Sequence, residues 1–331
     1  MLDWGPVVHP RRHAFPLRSA IVAVVLVLAT GAPASAAQLF APSSFWNTRL
    51  SPQASIAPNS QSLVADLDAQ VTSEGAWINT YQYSVPVYTV AASQPTVRVQ
   101  LDAGYAPLQA DFAEVPLPPN ARPAPGADAH LSVFQPSTDT LWDFWKVTRA
   151  ADGWHARWGG KMRNVSRDAG YFPDPVGATG SGLPLLGGLI RIDELTTGVI
   201  DHALALGIPE VKAQEYVWPA QRTDGASTNP QAIPEGTRFR LDPNLDVNAL
   251  GLPPVARMMA LAAQRYGIVV RDVAGAVTFY GEDPGPSGSN PYPSLYSNLS
   301  ASQLLAGFPW SSLRVVSISA ASGVPARIGL Q

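Results

Sequence analysis

Cysteine is absent from the 331 residues of this chain. Disulfides, thiolate metal sites and a cysteine nucleophile are therefore excluded. Clusters of Lys and Arg are also missing and the formal net charge is −3, which argues against nucleic-acid binding, because phosphate contacts need clustered positive charge. The chain also lacks a Gly-x-Ser-x-Gly motif, a phosphate-binding loop and a dinucleotide fingerprint.

Long hydrophobic runs are scarce, and the most marked one lies near the N-terminus. Residues 20–29 are apolar, arginines precede them, and small residues ending at Ala36 follow. Ten apolar residues are too few for a membrane-spanning helix, which needs about 20. This order predicts a signal peptide over residues 1–36, cleaved before Ala37, and a secreted product that leaves the membrane. The Arg11-Arg12 pair leaves both the general and the twin-arginine export routes open.

Removing residues 1–36 takes away three arginines and one aspartate, so the net charge of −3 becomes −5. We expect the remaining residues, 37–331, to form a single domain, because about 295 residues bury a large core without disulfides. We expect a monomer that needs no cofactor. The small, weakly apolar residues from about 317 predict a poorly ordered tail.

Proline (32 residues) and glycine (27 residues) are frequent, and charged residues make up only 14%. Short runs rich in aromatic and β-branched residues alternate with turn signals, which is typical of many short strands. Two segments, 60–73 and 253–266, have helical patterns. We therefore predict a mainly β fold, an antiparallel β-sandwich of jelly-roll type with a few covering helices and long Pro/Gly-rich loops. The predicted strands cover 84–90, 96–101, 130–135, 140–147, 154–158, 237–241, 267–272 and 276–280.

Residues 130–147 predict a β-hairpin. A turn over 136–139 places Ser132 opposite Asp143. Side chains alternate along a strand, so one face is apolar and packs on the core, while the other carries polar groups. Burying an unpaired carboxylate is costly, so we expect the polar face to border an open groove. The apolar face holds Leu131, Val133, Trp142 and Phe144, and the polar face holds His130, Ser132, Phe134, Leu141, Asp143 and Trp145.

A turn at 151–153 is expected to return residues 154–158 beside this hairpin in one of two registers. One register puts Trp154 and Trp158 beside Asp143 as an aromatic platform, and the other puts His155 and Arg157 there. Aromatic faces beside carboxylates suit sugar rings, whose apolar faces stack while their hydroxyls bond to acids. The structural alternative is that the tryptophans fill a sandwich core and Asp143 pairs with Arg157.

Acids and an imidazole also meet at residues 193–202. Glu194 and His202 are candidates for catalysis, together with Asp143 and His130. The structural alternative is that Asp193 caps a short helix closed by Gly198. No His-x-x-x-His spacing occurs among the histidines after residue 36, so the sequence predicts no metal site.

The chain contains the motifs Phe45-Trp46-Asn47, Leu141-Trp142-Asp143-Phe144-Trp145, the segment 181–189, Ile200-Asp201-His202-Ala203-Leu204 and Trp218-Pro219-Ala220-Gln221. Together these motifs resemble an uncharacterised family of secreted proteins from actinobacteria and other soil bacteria. The resemblance spans nearly all of residues 37–331 and implies secretion and a shared single domain. It assigns no catalytic residue, and jelly-roll polysaccharide lyases and glycosidases are similar in architecture alone.

Two functions remain open. As an enzyme, the protein cleaves a polysaccharide, either with Asp143 and Glu194 as paired carboxylates or with His130 and His202 as base and acid of an elimination. As a binding protein, it holds a glycan or cell-wall polymer. Carboxylates about 5 to 9.5 Å apart across a groove favour hydrolysis, and carboxylates buried against arginine favour binding or a structural role. In both cases the expected contacts to sugar are Trp145, Trp154, Trp158 and Arg157.

Overall fold

The computed structural model describes residues 38–317, together with Met1 and Gly5. The chain divides into a short unit, Met1–Ala34, and a second unit, Ser35–Gln331. Apart from Met1, Gly5 and Ser317, the predicted signal peptide and the predicted tail lie outside the described residues. Within the described part, no helix is both long enough and apolar enough to cross a membrane.

The described residues are rich in β structure, as predicted, and most strands are short. Each predicted strand overlaps at least one observed strand, although the bounds differ by a few residues. The strands are β1 (Ala76–Asn79), β2 (Val87–Thr89), β3 (Val99–Leu101), β4 (Leu131–Gln135), β5 (Thr140–Trp145), β6 (Thr148–Ala150), β7 (Gly153–Ala156), β8 (Trp158–Arg163), β9 (Leu204–Ile208), β10 (Val211–Tyr216), β11 (Ile233–Glu235), β12 (Arg238–Leu241), β13 (Ile268–Val273), β14 (Val277–Tyr280) and β15 (Leu313–Val315).

Both predicted helices are present, at α1 and α4. The first is closed by Gly75 and the second begins with a proline in its first turn, where the missing N–H costs nothing. Four shorter helices accompany them. The helices are α1 (Ser60–Glu74), α2 (Ala106–Asp111), α3 (Ile192–Thr197), α4 (Pro254–Arg265), α5 (Tyr292–Leu295) and α6 (Ala301–Leu305).

The sheets are mixed, so the prediction of antiparallel sheets is wrong. A six-stranded sheet has the order β1-β14-β9-β13-β12-β15, a four-stranded sheet β2-β4-β5-β8, a three-stranded sheet β3-β7-β6, and β10 pairs with β11. Each sheet contains at least one parallel pair, such as β1 with β14 and β2 with β4. Parallel neighbours need long connections, and segments far apart in the chain supply them here. The jelly-roll arrangement is not confirmed.

The core lies in three layers that follow from the alternation of side chains along the strands. Leu204 and Leu206 of β9 pack under the helices, while Ala205 faces the opposite side of the same sheet. Leu141 of β5 joins Ala205 in this middle layer. The other face of β4 and β5 packs in a third cluster that includes Phe112. The middle layer therefore lies between the six-stranded and the four-stranded sheets.

The predicted hairpin register is confirmed. Ser132 pairs with Asp143, and the pairing continues without a slip to Gln135 and Thr140. The predicted division of faces is also confirmed, because the apolar face packs in the third cluster and the other face points to the middle layer. The apolar face is Leu131, Val133, Trp142 and Phe144.

Candidate functional site

Asp143 does not border a groove, so this expectation is wrong. Its side chain is fully buried, because the segment containing Leu185 covers the hairpin face. Ser132 Oγ donates to its Oδ1 over 2.5 Å and the Leu185 N–H donates to its Oδ2 over 2.7 Å. Burial raises the pKa of Asp143 to about 6, although both hydrogen bonds and the charge of Arg271 lower it. Asp143 is thus a hydrogen-bonded structural carboxylate.

The third strand beside the hairpin is β8, not residues 154–158 as expected. The turn at 151–153 does form, but β7 pairs with β6 and β3 in another sheet. Trp154 is buried there in the third core cluster. His155 bonds to Asp102 and Asp152, and Arg157 is exposed between β7 and β8. The expected partnership of Trp154 and Arg157 with Asp143 is therefore not observed.

Two of the residues predicted to contact sugar, Trp145 and Trp158, lie next to each other. Trp145 and Trp158 are direct partners on adjacent antiparallel strands, so their side chains leave the sheet on the same side. Both are partly exposed, and both line a cleft of about 260 Å³. We call it the tryptophan cleft; its other lining includes Asp128, His130, Arg222, Asp224, Asp272 and residues 177–180. Trp145 Nε1 donates to Asp128 Oδ1 over 3.1 Å, and Trp158 Nε1 donates to the Pro175 carbonyl over 2.9 Å.

His130 lies in the wall of this cleft and also lines an adjoining depression of about 670 Å³. Burial lowers its pKa to about 4, so the imidazole is neutral at pH 7. Its Nε2 lies 3.2 Å from the Ala178 carbonyl oxygen, an arrangement that places the ring proton on Nε2. Nδ1 is then an acceptor, and it is buried without a hydrogen-bond partner.

Glu194 and His202 meet in a different place, a cleft of about 600 Å³. His202 Nε2 lies 3.0 Å from Glu194 Oε1 and its Nδ1 lies 2.8 Å from the Ala203 carbonyl. Arg191 Nη2 binds the same carboxylate over 2.9 Å. Burial raises the pKa of Glu194, but the charges of His202 and Arg191 outweigh it, giving about 2. Burial lowers the pKa of His202, and the Glu194 charge outweighs this, so its pKa is raised.

These contacts make Glu194 and His202 an ion pair rather than an acid–base couple. Both imidazole nitrogens are engaged, which leaves no lone pair to accept a proton from a substrate. Glu194 also belongs to the helix N-terminus, since it receives the Arg191 backbone N–H, and Gly198 ends α3 in the left-handed region. The expected short helix closed by Gly198 is present, but Asp193 lies inside it and Arg191 occupies the N-cap position. Neither predicted pair, Asp143 with Glu194 or His130 with His202, shares a described pocket.

Three other carboxylates converge where sequence reasoning placed none. One oxygen from each of Asp224, Glu235 and Asp272 lies within 4.8 Å of the others. We call these residues the carboxylate cluster. Each is an isolated acid in the sequence, from a loop, from the end of β11 and from β13, so no spacing motif marks them. Two of them, Asp224 and Asp272, line the tryptophan cleft.

Local structure explains how the cluster is held. The pairing of β13 with β9 shifts register between Val270 and Asp272, and such irregularities re-aim the side chains that follow them. Asp272 Oδ1 then accepts the Gly180 N–H over 3.0 Å. Asp224 lies so close to Gly180 that a Cβ there would come within 2.2 Å of its Oδ1. The glycine-rich segment therefore supports two of the three carboxylates.

Burial and mutual repulsion perturb the cluster strongly. Burial, and after it the nearby charge of Asp224, raise the pKa of Asp272 to about 7. Burial also raises the pKa of Glu235 well above its usual range, as do Asp224 and Asp272. Perturbed carboxylates in a cleft mark a candidate functional site. The tryptophan cleft with the carboxylate cluster is accordingly the strongest candidate site among the described residues.

Comparison of the chain with models of protein families, with curated proteins and with solved structures gives no match. The resemblance to secreted actinobacterial proteins accordingly stays a prediction.

Proposed function

We propose that the protein is carbohydrate-active and binds a polysaccharide in the tryptophan cleft. The observation that carries this proposal is the pairing of Trp145 with Trp158 on adjacent strands, both partly exposed and on one face. Binding sites commonly combine such apolar surfaces with a few placed polar groups. Asp128, Asp272 and Arg222 provide acceptors and a donor for hydroxyl groups around the two rings.

Neighbouring side chains and hydrogen bonds hold the two rings, which suits a binding platform. Lys146 Nζ lies 4.5 Å from the ring centre of Trp145, and the ring of Tyr105 lies 5.6 Å from that of Trp158. The indole hydrogen bonds to Asp128 and Pro175 fix both orientations further. A preorganised aromatic surface loses little entropy on binding. The predicted export makes an extracellular or cell-wall glycan the proposed ligand.

Binding is favoured over cleavage by the positions of the four residues expected to be catalytic. Asp143 is buried, Glu194 and His202 are paired to each other, and the free nitrogen of His130 is buried. Cleavage is the second candidate, because the Asp224 and Asp272 oxygens lie within 4.8 Å on this cleft. Retaining glycosidases hold their two carboxyl groups about 5 to 5.5 Å apart.

The test is a panel of plant and bacterial glycans offered to the purified protein, with binding followed by calorimetry. Trp158→Ala should weaken binding by about tenfold or more, because stacked aromatic anchors carry much of a site's affinity. Trp158→Phe should retain part of it. The matched control is Tyr81→Ala, since Tyr81 is 66% exposed and lines a different pocket.

Equal affinity of Trp158→Ala and the original protein for every bound glycan would contradict the proposal, as would a panel without any binding. Reducing ends or unsaturated products released by the original protein would instead support the second candidate. Asp224→Asn should then abolish product release while binding persists.

A further inference from the structure

The carboxylate cluster brings three acidic side chains together without a direct ion pair to a positive group among the described residues. Among the described residues, no lysine, arginine or histidine forms an ion pair with Asp224, Glu235 or Asp272. Three carboxylates within 4.8 Å of one another repel strongly in a partly buried setting. Such an arrangement is favourable when a cation lies between them.

Glu235 gives independent evidence for a ligand. Its side chain is fully buried, and neither carboxylate oxygen has a well-formed hydrogen bond within the described structure. The Thr223 hydroxyl and the Asp224 backbone amide lie close enough to lower the pKa of Glu235, but they do not outweigh the effect of burial. Buried carboxylates in proteins are normally paired or coordinate a metal. Both oxygens of Glu235 are therefore available at the point where Asp224 and Asp272 approach.

Neither Arg222 nor Arg271 forms an ion pair with the cluster in the described structure, and the buried Nε and Nη2 of Arg271 have no hydrogen-bond partner there. Arg222 donates to the carbonyl oxygens of Val176 and Thr179, each over 2.7 Å. Arg271 donates to the Leu185 carbonyl over 2.8 Å and stacks on Tyr280. These guanidinium groups bind the backbone of the segment 176–187 and shape the cleft. They do not neutralise the cluster by direct contact.

The remaining contacts of the cluster leave oxygen atoms for coordination. Asp272 accepts the N–H groups of Gly180 and Val273 through Oδ1, so Oδ2 can turn to a ligand. Asp224 is exposed and lines the cleft, which gives the site access to solvent. Water molecules and groups of a bound ligand could fill coordination positions on that open side.

We infer that Asp224, Glu235 and Asp272 bind a divalent cation of the hard, oxygen-seeking class, with Ca²⁺ as the best fit. Carboxylate oxygens are the preferred ligands of Ca²⁺ and Mg²⁺. At Ca–O distances of about 2.3 to 2.6 Å, oxygens on opposite sides of the ion are about 4.6 to 5.2 Å apart. Mg²⁺ demands near-ideal octahedral geometry and is usually held by one or two carboxylates, so three carboxylates within 4.8 Å of one another suit the more flexible coordination of Ca²⁺.

This site goes beyond the proposed glycan binding and does not depend on it. It also bears on cleavage, because a bound cation would occupy the carboxylates that hydrolysis would need. It is an alternative to the expectation, drawn from the sequence, that the chain has no metal site. Its ligands are carboxylates from three separate segments, whereas the motif searched for in the sequence was a pair of histidines.

The experiment uses the full protein without any glycan. After treatment with chelator, the protein is titrated with CaCl₂, MgCl₂ and MnCl₂ in calorimetry and in thermal unfolding, and with TbCl₃ in luminescence. Tryptophan excites nearby Tb³⁺, and Trp145 and Trp158 line the same cleft. We expect saturable Tb³⁺ emission, its displacement by Ca²⁺, and a rise in Tm with Ca²⁺.

Two variants make the test specific. Glu235→Gln keeps the shape of the buried side chain but removes its charge, and Asp224→Asn changes an exposed residue that folding should tolerate. Both variants should weaken Ca²⁺ binding about tenfold or more, while Tm measured without added cation should not fall. The control is Asp68→Asn, an exposed acid on α1, which should bind like the original protein.

The inference is overturned if the original protein shows neither saturable Tb³⁺ emission nor a Tm response to any of the three divalent ions. It is equally overturned if folded Asp224→Asn binds Ca²⁺ as tightly as Asp68→Asn. Glycan binding can fail in the separate panel while this titration succeeds, so the two proposals can be told apart.

Discussion

Asp143 is held between two sheets by Ser132 and the Leu185 N–H, and this geometry defines its role. Asp143→Ala removes the partner of two buried donors, and each unsatisfied group costs about 1 to 3 kcal/mol. We expect a loss of unfolding free energy of that size in chemical denaturation at pH 7, with unchanged glycan affinity per folded molecule. An unaffected stability, or a loss of affinity in the folded variant, would return Asp143 to the list of functional residues.

The pH dependence of Asp143→Asn offers a second measurement. Because burial raises the folded pKa from 3.8 to about 6, the unfolded chain releases this proton first as pH rises. The original protein should therefore lose up to about 3 kcal/mol of unfolding free energy as pH rises from about 4 to about 6. The Asn variant should lack this loss. Parallel stability curves for the two proteins across that window would contradict the buried position.

The pair of Glu194 and His202 should stabilise the fold within a limited pH window. The raised pKa of His202 makes its contribution complete below about pH 6.5 and lost as pH rises through the folded pKa. The lowered pKa of Glu194 makes its contribution complete above about pH 4.5 and lost as pH falls toward 2. Glu194→Gln should therefore be most destabilising between about pH 4.5 and 6.5.

Nuclear magnetic resonance can follow the same pair directly. In Glu194→Gln the pKa of His202 should fall below that of an ordinary histidine, because burial remains and the counter-charge is gone. His155, which bonds to Asp102 and Asp152, serves as the internal control and should titrate unchanged. A His202 pKa at or below 6.5 in the original protein would refute the ion pair.

At the scale of elements, the glycine-rich segment 177–182 acts as a support for the carboxylate cluster. Gly180 has no unusual backbone angle, so an alanine there meets a steric conflict with Asp224 and little backbone strain. Because Asp224 is exposed, its side chain can swing away at low cost. Gly180→Ala should therefore weaken Ca²⁺ binding about tenfold while the Tm measured without cation stays close to that of the original protein.

The control for this loop variant is Gly275→Ala, since a Cβ at Gly275 would meet no atom within 4 Å. It should bind Ca²⁺ normally. If Gly180→Ala also binds normally, Asp224 is not held against Gly180 in solution.

The same elements show what sequence could predict and what it could not. The hairpin register follows from a local turn and strict alternation, so Ser132 and Asp143 were placed correctly. The burial of Asp143 depends on Leu185, 42 positions away, and no pattern in the hairpin reveals that cover. The carboxylate cluster joins three distant segments, each with one unremarkable acid. Trp145 and Trp158 were recognised by residue type, although the strand that carries Trp158 was misplaced.

At the scale of the whole molecule, the N-terminal sequence predicts that the protein is exported. Cells expressing the full chain should release a product that begins at Ala37, because Ala34 and Ala36 fit the small-residue sites of signal peptidase. Intact mass and N-terminal sequencing of the culture medium measure this. A cell-bound product that retains Met1 would contradict it.

The order of the six-stranded sheet has a consequence for how the molecule is made. Its two edges are β1, near the start of the described residues, and β15, near their end. Ser60 Oγ, at the start of α1, accepts the N–H of Val315, which lies 255 positions later. Contacts this distant in sequence form slowly, and a ribosome adds only about 5 to 20 residues each second. The earliest strands are therefore synthesised many seconds before the strands they pair with, and their unpaired edges can bind other chains in the meantime. A nascent chain of this protein should depend on chaperones until its last strand has been synthesised.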